Sequence, residues 1–193
     1  MRNLLRFAVC IAEVASPGRG GHLQAQAVSW DNVHINVTEP AQAAEWYVKN
    51  LGAAPVGIPG QGTQVKFGNV LVVFLKGQEQ QRSAGSLIDH IGISYEDLDT
   101  HLKQAENAGA KVLTQPHDVP GLFKVAFIED PFGIKIEMVQ DAGLTGFHHV
   151  HLSVAMPETT LRWYLDNAVD HAAMARSRIV NESSSTIELS VES

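Results

Sequence analysis

Apolar and polar positions trade places in a regular order from about residue 30 onward. Val33, Ile35 and Val37 alternate with His34 and Asn36, the period-two pattern of a half-buried strand. A helix is predicted next: Thr38 stands at a capping place, Pro40 suits a first turn, and Gly52 lies just past the end. Three strands follow, near 54–58, 64–67 and 70–75, with Gly68-Asn69 as the two-residue turn of a hairpin. The order then starts again. A strand at 90–93 leads to a helix capped by Asp97, whose Leu98, Leu102 and Ala105 form an apolar stripe at helical spacing. Strands are predicted near 111–113, 123–128 and 134–139, the last two joined by the turn Asp130-Pro131-Phe132-Gly133.

The restart is visible in the residues themselves. Sliding the chain against itself by 117 positions sets Val33-His34-Ile35-Asn36-Val37 on Val150-His151-Leu152-Ser153-Val154 without a gap, and Trp46-Tyr47 on Trp163-Tyr164. A shift of 56 sets His34 on His90, Ile35 on Ile91 and Val37 on Ile93. Self-similarity with a period of about 50 to 60 residues marks a repeated supersecondary unit. The unit is β-α-β-β-β, complete at 30–82 and 88–141, and begun a third time in 146–193, where one further strand near 186–191 is expected. The fold class is α+β. Trp46, Tyr47, Trp163 and Tyr164 are read as helix residues packed on a sheet.

Composition narrows the function. A chain with 45% hydrophobic and 18% charged residues is an ordinary globular one. Its 14 basic against 21 acidic residues lack the basic stripe that tracks nucleic-acid phosphates. One cysteine excludes a disulfide framework and a thiolate-rich zinc site. No segment beyond the N-terminus approaches the ~20 apolar residues of a membrane span. At the N-terminus, Arg2 and Arg6 precede a short apolar run at 7–12, and Ala25-Gln26-Ala27 is a small-x-small site. Residues 1–27 are therefore either an export signal, which would place the protein in the periplasm or outside the cell, or an extension of a cytoplasmic protein. Cleavage after Ala27 would remove Cys10 and leave the chain more acidic.

Nine histidines are many for 193 residues. His34 and His90 occupy the same place in two units. Glu137 stands in the last strand of the second unit, on the face opposite Ile134, Ile136 and Met138. A carboxylate buried in mid-strand is costly without a partner. Two imidazoles and a carboxylate around a divalent cation would supply one, and that ligand set suits Fe(II), with Mn, Ni or Zn as further occupants. The bland alternative pairs Glu137 with Lys135 and leaves the histidines in the core or at the surface.

The run Phe127-Ile128-Glu129-Asp130-Pro131-Phe132-Gly133-Ile134-Lys135-Ile136-Glu137, together with His34 and the Trp46-Tyr47 to Asn50-Leu51-Gly52 segment, resembles the vicinal oxygen chelate superfamily. That group includes glyoxalase I, extradiol dioxygenases and the bleomycin-resistance proteins. The resemblance implies paired modules forming a cupped mixed sheet at 28–141, a divalent metal on its concave face, and His34, His90 and Glu137 at three metal positions. Glyoxalase I adds a carboxylate in the last strand of the first module. The equivalent place here is near Val73, where no ligand stands. Three ligands with open sites look more like the extradiol pattern.

His117, in the Pro/Gly-rich stretch 115–122, is read as a loop residue that could transfer a proton over the cup. His148, His149 and His151 cluster at the start of the third unit, His149 and His151 on one strand face, and are assigned a structural role. Three functions stay open. One is a metalloenzyme that takes a small substrate through two adjacent oxygens, as a lyase, isomerase or dioxygenase. Another is a metal-independent sequestering protein of the resistance type. The last is a shortened, inactive copy of a two-domain relative, whose unpaired strand edge would favour a homodimer.

Overall fold

The computed structural model describes residues 31–58, 62–78, 82–167, 178–181 and 186–189. The expected export segment, 1–27, lies outside the described residues. The first unit runs β1 (Asn32–Val37), α1 (Pro40–Leu51), β2 (Ala54–Pro55), β3 (Gln64–Phe67) and β4 (Val70–Lys76). The second repeats it as β5 (Ile88–Ser94), α2 (Leu98–Asn107), β6 (Lys111–Asp118), β7 (Lys124–Glu129) and β8 (Lys135–Gln140). The third comprises β9 (Gly146–Ser153), α3 (Pro157–Asn167), β10 (Arg178–Asn181) and β11 (Thr186–Leu189).

Local chemistry explains most of these boundaries. Asp97 caps α2 by accepting the Thr100 N–H at 3.1 Å. Gly52 ends α1 at φ 72°, a left-handed conformation that favours glycine. Thr38 does not cap α1: Glu39 takes the N-cap position without a side-chain bond, and Pro40 opens the helix. The turn after β7 is held by Asp130, whose Oδ1 accepts the N–H groups of Phe132 and Ile134, both at 2.8 Å.

Each complete unit closes in the same strand order, with its first strand parallel to its last. β1-β4-β3-β2 forms one sheet; β5-β8-β7-β6 forms the corresponding part of a seven-stranded sheet ordered β10-β11-β9-β5-β8-β7-β6. The extension comes from the third unit, because β9 adds antiparallel to β5 with His90 opposite His151 and Ile91 opposite Val150. The second and third units thus share a sheet, whereas the first keeps its own and joins the second through helices and turns. Trp46 donates its indole N–H to Ala108 O at 2.9 Å, Tyr47 its hydroxyl to Asp130 Oδ2 at 2.7 Å, and Tyr95 its hydroxyl to Leu51 O at 3.2 Å.

The core lies between the sheets and their helices. It takes Ile91, Ile93, Ile128, Ile136 and Met138 from the second unit and Val150, Leu152 and Ile187 from the third. Strand alternation then turns His90, Gly92 and Glu137 to the opposite face, with His149 and His151 beside them.

Three local expectations change. His117 lies on a strand rather than a loop, because β6 runs on to Asp118. That strand is at the sheet's edge and its register shifts twice, which accommodates Pro116. The third unit makes two described strands after its helix, not one, and β11 lies antiparallel beside β9 where the complete units place a parallel strand. Trp163 is 59% exposed, although its repeat partner Trp46 is half-buried against the second unit.

Candidate metal centre

Four buried side chains converge on the face of the seven-stranded sheet away from the core. His90 and Glu137 come from β5 and β8, His149 and His151 from β9, and one ligand atom from each lies within 4.8 Å of all the others. Register explains the meeting. Gly92 stands opposite both Glu137 and His149, and His90 stands opposite His151. Gly92 leaves room for the meeting, since a Cβ there would sit 2.6 Å from His149 Nε2 and nearer still to Nδ1 and Cε1.

Glu137 Oε2 lies 3.0 Å from His90 Nε2 and 3.2 Å from His149 Nε2. Burial alone would raise the Glu137 pKa. Hydrogen bonds with the His149 and His90 rings outweigh it and hold the carboxyl well below the usual range. Burial pulls the His151 pKa down to about 4, although its bond to Glu188 works against this. His151 is therefore neutral at pH 7, the form in which an imidazole binds a metal. The Lys135 alternative for Glu137 fails. Lys135 Nζ donates to Asp89 Oδ1 at 2.6 Å and lies 5.1 Å from the centre of the Phe127 ring.

Proton counting tests whether a cation fits. His90 Nδ1 is 2.6 Å from Asp89 Oδ1, and its Nε2 faces Glu137. A neutral imidazole has one N–H, so it can satisfy only one of these two carboxylates. His149 is placed alike, with Nδ1 2.6 Å from His148 Nδ1 and Nε2 facing Glu137. Three imidazoles with one carboxylate are a ligand set for a divalent transition metal. The residues fit the group.

The structure brings together His90 and Glu137 of the residues singled out from sequence, and it places His34 elsewhere. His34 lies on β1 in the four-stranded sheet, opposite Val73, and belongs to neither group of converging ligand atoms found among the described residues. The reason is unit pairing: the strand that meets β5 is β9, not β1. His151 is the repeat equivalent of both His34 and His90, as the gapless shift of 117 residues showed, so the signal was in the sequence. His149 falls on Asn32 in that shift, and only its shared strand face with His151 marked it. The first-unit counterpart of Glu137 is Leu75, which faces Asn36 as Glu137 faces Gly92. His117 is exposed, with Nδ1 3.0 Å from Gln115 O. It shares the Glu137 sheet face, in register with Val125 and through it with Val139.

The family model of the Glyoxalase/Bleomycin resistance protein/Dioxygenase superfamily matches residues 21–138, more than half of the chain. The chain belongs to this superfamily. The chain is similar to several solved structures. Glyoxalase I from Zea mays is 18% identical with a TM-score of 0.59, the match covering 79% of this chain and 56% of that one. The chain thus spans little more than half the length of the maize protein. A hypothetical protein from S. aureus is 19% identical with a TM-score of 0.46, covering 63% of this chain and 96% of that one. A glyoxalase/bleomycin resistance protein/dioxygenase from Alicyclobacillus acidocaldarius is 19% identical with a TM-score of 0.45, covering 59% and 92%. No curated protein matches the chain. Among the described residues, no helix is long and apolar enough to cross a membrane.

Proposed function

We propose that this superfamily member is a metalloenzyme whose divalent cation is held by His90, Glu137, His149 and His151, between the second and third units. The observation that carries the reading is the convergence of four buried side chains, each with a ligand atom within 4.8 Å of the others. A cation held there supplies Lewis acidity to two adjacent oxygens of a small substrate. Four side chains would hold the cation, in place of the three-ligand pattern expected from sequence.

The chain's own residues do the rest. Asp89 and Glu137 fix the His90 ring from either side. Glu137 stays ionised and carries the negative charge that a divalent cation requires. Phe127 packs edge-on against the His90 ring with centroids 5.3 Å apart, and Val125 and Val139 are buried on the same face outside the main core. They make a dry wall that excludes water from the ligands. His117, farther along that face, is the candidate for moving a proton to or from bound substrate.

The test is to strip the protein with a chelator and add back Fe(II), Mn(II), Ni(II) or Zn(II) separately. Turnover of a catechol or an α-keto hemithioacetal should return with at least one of them. Failure of all four to bind would overturn the reading in favour of a metal-independent sequestering protein that uses the apolar wall of Phe127, Val125 and Val139.

A further inference from the structure

Each of the three histidines has a polar partner for one ring nitrogen, and a nitrogen of each lies within 4.8 Å of the other ligand atoms of the cluster. For His90 the partner is Asp89 Oδ1, 2.6 Å from Nδ1; Asp89 is anchored in turn by Lys135 Nζ and by the Gly85 N–H. For His149 it is His148, whose Nδ1 lies 2.6 Å away and whose Nε2 is 3.2 Å from Asp141 Oδ2. For His151 it is Glu188 Oε2, 3.4 Å from Nε2 and contributed by β11. Glu188 stands opposite His151 in the β9–β11 register, and both are buried. His148 reaches His149 because β9 gains a residue there: Gly92 faces His149 while Ile93 faces Phe147, which leaves His148 as the bulged residue between them.

Resting on the metal reading above, we infer that Asp89, the His148–Asp141 pair and Glu188 are positioning residues that fix which ring nitrogen of His90, His149 and His151 faces the cation. The assignment completes the proton count. With a cation on Nε2 of His90 and of His149, Asp89 accepts the Nδ1–H of His90. His149 donates its Nδ1–H to His148 Nδ1, and His148 donates its Nε2–H to Asp141. His151 donates its Nε2–H to Glu188 and keeps Nδ1 for the cation. Every imidazole is then neutral with its single N–H used. A metal-binding histidine ordinarily donates its second nitrogen in this way, and the outer partner sets both tautomer and ring orientation. The third unit's last described strand thereby has a task, since β11 delivers Glu188.

His148, His149 and Glu188 also bring ligand atoms within 4.8 Å of one another, so a second cation is the rival explanation of Glu188. One cation already accounts for every proton, and the test separates the two. Zn(II) binding is titrated against a competing chelator in wild type, Glu188→Gln and Glu188→Leu, and the His151 tautomer in the zinc-loaded wild type is read by long-range 1H–15N NMR. The inference expects one zinc per chain throughout and a His151 protonated on Nε2. Glu188→Gln keeps an acceptor oxygen and should bind within about threefold of wild type, whereas Glu188→Leu should weaken binding by about 10- to 100-fold. Two zinc ions in wild type falling to one in Glu188→Gln would overturn it, as would a His151 protonated on Nδ1 or unchanged affinity in Glu188→Leu. Absence of zinc from wild type would refute the metal site itself, a result distinct from these. The tautomer needs no variant, so a misfolded Glu188→Leu would still leave the inference decided.

Discussion

Gly92 and His149 occupy the same space in turn: the imidazole of His149 lies where a Cβ on Gly92 would be, 2.6 Å from Nε2 and closer to two other ring atoms. The ring is fully buried, so it has no solvent to move into. Gly92→Ala should therefore displace His149 and leave the sheet in place, because the Gly92 backbone is not in the left-handed region that only glycine favours. Zinc affinity should fall by about 10- to 100-fold, the effect of disturbing a ligand's support. A competition titration, with the melting temperature as a check on folding, measures it. Unchanged affinity would show that His149 is not a ligand.

Asp130 predicts a pH dependence of opposite sign to that of an ordinary paired carboxylate. Burial pushes its pKa up to about 6, against the N–H of Ile134, the Tyr47 hydroxyl and the N–H of Phe132, while the charge of Glu129 adds to the rise. Between the unfolded value of 3.8 and about 6, the folded state holds a proton that the unfolded state has lost. Stability from this group is thus full at low pH and declines as pH rises through that window. The difference in unfolding free energy between wild type and Asp130→Asn should shrink from pH 4 to pH 6 and then level off. Urea titrations at several pH values check it, and a difference that grows with pH would contradict the sign.

Alternation and turn chemistry made the two complete units readable, because the residues that carry those signals lie next to one another in the chain. Asp97, Gly52 and the Asp130 turn all sit where local rules put them. Pairing between units was not readable in the same way. His34, His90 and His151 are equivalent by sequence, and nothing local says which two strands will lie edge to edge. The choice of β9 over β1 as the neighbour of β5 put the converging side chains in the second and third units rather than the first and second. His148 was harder still, since it is the residue that a bulge adds to β9, outside the alternation by which strand faces are read.

Trp46 and Trp163 are repeat equivalents in unlike surroundings, which yields a comparison. Trp46 bonds Ala108 O and stands edge-on to Phe132 at 6.4 Å, joining the first unit to the second. Trp163 is mostly exposed. Trp46→Ala should cost about 3 kcal/mol, the lower end of the range for a large aromatic side chain. Trp163→Ala should stay within about 0.5 kcal/mol, as for an ordinary surface change. Urea unfolding of the two variants measures both, and equal losses would show that α3 is packed as α1 is.

The most direct test of the account compares two histidines that the repeat makes equivalent. Zinc binding is measured at equilibrium in wild type, His34→Ala and His151→Ala. A site between the second and third units predicts that His34→Ala binds as wild type does, while His151→Ala loses at least about 100-fold in affinity, as removal of a direct ligand exceeds the 10- to 100-fold effect of an outer partner. Loss of binding in His34→Ala with retention in His151→Ala would contradict it and return the metal to the first and second units.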